Sequence, residues 1–180
     1  MKNLKSIMMI ALAIGISSGI YAQHDHSKMN MDHKNNDMMD HHDNDLVKLN
    51  DENLTKAYMH YTMIYEALLE ANATKVQMAS KMLVKILSSY GKASEAEQVT
   101  AELASNSNIK EQRVLFSDLT TKFEPLLKGN ITEGEIYKTF CPMANDGGSF
   151  WFSNSSKIEN PYFGKTMSSC GSVKETFKSI

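Results

Sequence analysis

Between Leu54 and Leu127 the apolar residues return every three or four positions, a period that gathers them on one side of an α-helix. Leu54, Tyr58, Tyr61, Tyr65 and Leu68 form the first such stripe, and Ala57 and Ile64 widen it. A second helix is predicted from about Thr74 to Tyr90, with Ala79, Leu83, Ile86, Leu87 and Tyr90 inward and Gly91 as its stop. Met78 and Met82 on that helix read as core. Ser94 followed by Glu97 reads as a capping box that opens a third helix through Val99 and Leu103. Asn108 with Glu111 is expected to cap a fourth, striped by Leu115, Phe116, Leu119, Phe123, Leu126 and Leu127 and ended by Gly129. Four amphipathic helices with short links predict a mainly α fold, an antiparallel bundle.

After Gly129 the helical period lapses. Glu135 to Phe140 and Ser149 to Ser153 are rich in β-branched and aromatic residues and flank Asp146-Gly147-Gly148. They predict a small, irregular carboxy-terminal segment built on a β-hairpin. Asn160-Pro161 and Gly164 mark further turns, and Ser172 with Glu175 is expected to cap a short closing helix. No internal repeat is visible.

Two segments precede the bundle. Lys2 and Lys5, the apolar run Ile7 to Ile16, the break at Ser17-Ser18-Gly19 and the small residue Ala22 make residues 1–22 read as a cleavable secretory signal. The run is shorter than the roughly 20 apolar residues that span a bilayer. The mature chain is therefore expected to begin at Gln23, without a membrane anchor, in the periplasm or outside the cell. Loss of Lys2 and Lys5 takes the formal charge from −2 to −4, and no basic stripe points to nucleic acid. Residues 46–180 are long enough for one domain.

Residues 23–45 form a different kind of segment. His24 to Asp45 hold five His, four Met and six Asp with no aliphatic or aromatic residue, too little apolar surface to offset the entropy of ordering, so disorder is expected. His24, His26, Met29, Met31, His33, Met38, Met39, His41 and His42 are spaced for adaptable metal ligation. Imidazole suits copper in either oxidation state, and thioether selects copper(I). On the first helix Met59, His60 and Met63 lie close together. They read first as packing or surface residues, with copper binding as the second reading.

The two cysteines, Cys141 and Cys170, support two readings that the residues leave open. Outside the cytosol they are candidates for a disulfide, which would make Met143 and Met167 ordinary fillers. Alternatively, Cys141-x-Met143 and Met167-x-x-Cys170 each offer two sulfurs within a few residues, a donor set for copper(I) or silver(I). Zinc is disfavoured, because no His lies near these turns. In that reading Trp151 shields the site and Asn160-Pro161 stiffens the second turn.

The tail also resembles a known family. Cys141-Pro142-Met143-Ala144, Phe150-Trp151-Phe152-Ser153, Asn160-Pro161-Tyr162-Phe163-Gly164, Met167 and Cys170-Gly171 are similar to an exported bacterial family of unknown function, also found fused to adaptor subunits of copper/silver efflux pumps. Ser149 and Phe152 depart from that pattern, where Ala and Leu are usual. The resemblance implies a helical domain engaged in extracytoplasmic heavy-metal handling, with an efflux adaptor as a partner. No Cys-x-x-Cys and no nucleophile–base arrangement stands out, so no enzymatic activity is expected. The expectation is a copper(I)- and silver(I)-binding chaperone, buffer or efflux accessory. Its rival is an interaction module, closed by a Cys141–Cys170 disulfide, that docks onto an efflux adaptor without binding metal.

Overall fold

The computed structural model describes residues 47–179. The signal segment and the His/Met-rich leader, with all their expected ligands, lie outside the described residues. Four helices carry the bundle: α1 (Glu52–Leu69), α2 (Ala73–Tyr90), α3 (Ser94–Ser105) and α4 (Ile109–Leu127). Short links turn each helix back on its predecessor, giving the expected up-and-down arrangement.

Local chemistry explains most of the boundaries. Asp51 caps α1, its carboxylate accepting from the backbone N–H of Asn53 at 2.7 Å and of Leu54 at 3.2 Å. Asn72 caps α2 by accepting from Lys75 N at 3.0 Å, and Gly91 closes that helix with its N–H on Leu87 O. Asn108 caps α4 through Lys110 N at 2.9 Å, while the Glu111 carboxylate accepts from the side-chain amide of Asn106 at 2.7 Å. The capping box expected at α3 does not form. Ser94 is already helical, Ala93 occupies the cap position, and no side chain bonds the first turn. Burial of Ala93, Ala96, Val99 and Leu103 against the bundle compensates for the missing cap.

Five strands complete the fold: β1 (Lys48–Leu49), β2 (Ile131–Glu133), β3 (Glu135–Cys141), β4 (Ser149–Ser153) and β5 (Ser172–Lys178). The predicted hairpin is β3 with β4, antiparallel from Tyr137↔Ser153 to Cys141↔Ser149. β5 is a correction, because Ser172 to Lys178 was expected to be helical. Val173 and Phe177 stand four residues apart, a spacing that serves one face of a helix or of a strand equally well. Pairing with β3, from Ile136↔Phe177 to Phe140↔Ser172, decides for the strand and makes β3 the centre of a three-stranded sheet. The pair β1–β2 joins the two ends of the bundle and was not foreseen.

The tyrosine stripe of α1 is the joint between bundle and tail. Tyr58 Oη donates to Asn154 Oδ1 at 2.6 Å, and Tyr65 Oη donates to the Glu159 carbonyl at 3.0 Å. Tyr61 is fully buried, shares a hydrogen bond with Thr120 Oγ1 at 2.7 Å and accepts the Phe152 N–H at 3.1 Å. Its ring packs on Phe116, Phe123 and Phe152. A stripe of tyrosines on one helix face does not by itself say which groups the hydroxyls meet. Here they satisfy polar groups of the tail that the bundle takes out of water.

Candidate functional site

The end of β3 and the turn that precedes β5 meet at a covalent joint. Cys141 and Cys170 form a disulfide with their Cα atoms 5.8 Å apart. Cys141 is fully buried at the last position of β3, and Cys170 is half-buried. Antiparallel pairing with β5 brings Phe140 opposite Ser172, so the neighbouring cysteines approach as a consequence of the sheet register.

Asn160 holds the second turn, as expected. It is fully buried, its Nδ2 donating to the Cys170 carbonyl at 2.8 Å and its Oδ1 accepting the Tyr162 N–H at 2.8 Å. Its own N–H donates to Ser168 O at 2.8 Å, so one side chain and one amide pin both ends of the Ser168–Cys170 turn. Tyr162 Oη donates in turn to the Phe150 carbonyl on β4. Arg113 of α4 anchors this loop to the bundle, its guanidinium donating to Pro161 O at 2.9 Å and to Leu68 O at 3.4 Å near the carboxyl end of α1. Partial burial lowers the Arg113 pKa, and the two carbonyls supply the acceptors that a buried cation needs. No pattern in the sequence singled out Arg113. A lone arginine on an otherwise amphipathic helix carries no local signal.

Trp151 is fully buried and meets Tyr162 edge-on at 6.0 Å. It packs so closely on the residue after Cys170 that a Cβ at Gly171 would lie 2.7 Å from its ring. Trp151 thus lies against the turn that carries Cys170. The two thioethers differ in setting. Met143, in the turn after β3, is 62% exposed, whereas Met167 closes the 3₁₀ turn Gly164–Met167, half-buried, with its carbonyl accepting the Cys170 N–H at 3.3 Å. The loop that presents Met143 holds Asn145 and Asp146 at φ of 48° and 54°, the left-handed region that Asn and Asp accept more readily than other side chains. Asn145 Nδ2 donates to Ser149 Oγ at 3.0 Å and steadies it.

Among the described residues no cluster of three or more His, Cys, Asp and Glu side chains is placed to hold a metal ion. The tail supplies two thiols, once reduced, with one exposed and one half-buried thioether within a few residues of them. That set suits a soft monovalent ion and fits zinc poorly.

Two further sequence readings change. Met78 and Met82 are not core: they are 52% and 47% exposed on α2, because Val76, Ala79, Leu83 and Leu87 take its inward face. On α1, Met59 is exposed, Met63 packs partly on the core, and His60 is half-buried with Nδ1 shut off from water and from any hydrogen-bond partner. Burial lowers the His60 pKa.

A helical bundle bearing a disulfide-closed antiparallel sheet is thus the class of fold that carries the site. Residues 57–134 match the model of a family described as a protein of unknown function (DUF3347). The match begins within α1 and ends just after β2, so the sulfur-bearing tail lies outside the matched residues. No curated protein and no solved structure matches the chain. No helix of the described residues is long and apolar enough to cross a membrane.

Proposed function

We propose that the protein is an exported carrier of soft metal ions, copper(I) and by the same chemistry silver(I), acting as a chaperone, buffer or efflux accessory rather than as an enzyme. The observation that carries this reading is the convergence of Cys141 and Cys170, with Met143 and Met167 on the turns beside them. An external dithiol, supplying two electrons and two protons and leaving as its own disulfide, would convert the covalent joint into two thiols at one point, held by Asn160 and screened by Trp151. Loss of their protons gives the thiolates that soft ions prefer. Residues 23–45 add imidazoles and thioethers of lower specificity, suited to gathering ions rather than fixing one. The secretory pattern of residues 1–22 supports a role in the periplasm or outside the cell, and the resemblance of the tail points to a heavy-metal efflux adaptor as partner.

The disulfide itself favours a second reading, an interaction module that docks onto such an adaptor with its cysteines permanently joined. A chelator-competition titration with copper(I) separates the two, carried out on reduced protein lacking residues 23–45. One tightly held ion is expected, lost when the disulfide is reformed and weakened at least a hundredfold in the Cys141→Ser/Cys170→Ser variant. Met143→Leu and Met167→Leu should weaken binding less, because a thioether is a neutral and poorer donor. Equal affinity in the double Cys→Ser variant would eliminate the tail site and leave the interaction module as the better account.

A further inference from the structure

The exposed methionines of α2 have no structural role in the core, and their position suggests what they do. On α1, Tyr58 and Tyr65 turn toward the tail, where they bond Asn154 and Glu159. The opposite flank of the same core stripe carries Ala57, His60, Ile64 and Ala67, and it is the flank left for α2, the element with which α1 has its most extensive contact. Because α2 runs antiparallel and is also right-handed, the flank it turns toward α1 is the one with Ala79, Met82 and Ile86. Residues equally distant from the link Glu70–Asn72 lie level along the two helices. Met82 stands as far past that link as His60 stands before it, and Met78 is within one residue of level with Met63. Met78 and Met82 are one helical turn apart, with Cβ atoms about 5–6 Å from each other. Three thioethers and an imidazole thus border one seam.

Each side chain is anomalous as a packing element. A methionine kept for its adaptable fit is normally covered, yet Met78 and Met82 are about half exposed. The buried Nδ1 of His60 has no partner in the protein, a cost that structural histidines avoid. Lys56 and Lys75, which flank the seam, are each held by a carboxylate, Glu52 at 2.6 Å and Glu70 at 2.8 Å. Lys81 and Lys85 stand one turn along α2 from Met78 and Met82, and the patch between the helices is rich in soft thioether donors, which bind without deprotonation. We propose that His60, Met63, Met78 and Met82 form a second site for a soft monovalent ion, copper(I) or silver(I), on the α1–α2 seam. This site is independent of the cysteines and works with the disulfide closed, so it gives the bundle a means of holding an ion under oxidising conditions. Met59, one turn before Met63, lies about 40° further round α1 from its buried stripe and serves as the exposed comparison residue.

The test uses the full chain with Cys141–Cys170 joined and methionines labelled with ¹³C at the methyl group, titrated with silver(I). The methyl signals of Met63, Met78 and Met82 should move together along one saturable curve, with the His60 ring signals, while that of Met59 stays in place. Met78→Leu/Met82→Leu should weaken this binding at least tenfold without changing the melting temperature, since both residues are exposed. His60→Gln should do the same if it folds, and the Met78/Met82 variant decides the matter if it does not. Shifts confined to residues 23–45 and to Met143 and Met167 would overturn the proposal. A Met59 signal that follows the curve of Met82 would overturn it too, by showing adventitious binding to exposed methionine. Because the cysteines are closed throughout, neither result bears on the tail site.

Discussion

Three glycines form a series that separates backbone strain from steric clash. Gly147 has an unexceptional φ and nothing within 4 Å of an added methyl group, so Gly147→Ala should be neutral or stabilise by up to about 1 kcal/mol through the unfolded chain. Gly129 sits at φ +76 in open space, so Gly129→Ala meets strain alone, a net cost of about 1 kcal/mol. Gly171 combines φ +142 with a Cβ position 2.7 Å from Trp151 Cη2 and 3.2 Å from the Phe140 carbonyl. Neither neighbour can retreat, because the indole is fully buried and the carbonyl belongs to the central strand of the sheet. Strain of about 1–3 kcal/mol and overpacking of about 1–3 kcal/mol then add to roughly 2–6 kcal/mol for Gly171→Ala. Urea denaturation of the three variants measures the differences directly. In a thermal melt the Gly171 variant should fall by about 10–20 °C. A Gly171→Ala cost no larger than that of Gly129→Ala would refute the claim that Trp151 is wedged rigidly against the cysteine turn.

Other consequences follow from the same contacts. Tyr61→Phe should cost about 1–3 kcal/mol in denaturant titrations, since the buried Phe152 N–H loses its acceptor, whereas Tyr137→Phe, whose hydroxyl bonds the half-buried Glu135, should change stability by less than about 0.5 kcal/mol. Equal effects would mean that the Tyr61 hydroxyl is not the joint described here. Replacing both cysteines by Ala should lower stability by about 3–4 kcal/mol, because the bond closes a loop with a sequence separation of 29 residues. A loss below about 1 kcal/mol would show that the sheet register alone holds the tail. Burial raises the pKa of Tyr58, Tyr61, Tyr65 and Tyr162 above the ordinary 10.0. Unfolding releases those phenols to ionise, so their contribution is intact below pH 10 and declines as pH rises beyond it. Tyrosinate absorbance at about pH 11 should show these four still protonated in the folded chain and ionised on adding denaturant. Full ionisation without unfolding would place them in solvent.

The helices and the hairpin were legible because their signals are local. A three- and four-residue apolar period needs only neighbouring residues to be read, and a Gly-rich turn between two β-rich runs is likewise self-contained. Deletion of residues 23–45 follows the same logic: with no apolar residue but Met to dock, its loss should leave the melting temperature unchanged and lower the copper bound. The sulfur donors were also visible as residues, but their relation was not. Whether Cys141 meets Cys170 depends on the pairing of β3 with β5, which sets distant residues side by side. The same pairing turned a Ser-x-x-Glu segment into a strand. Tertiary position alone decided that Met78 and Met82 face outward, that Tyr61 reaches a strand amide, and that Arg113 crosses to Pro161. Each of these depends on which elements surround a residue. A period in the sequence says that a helix has an inner face but not how wide a face its neighbours will cover, and burial is settled only when they pack.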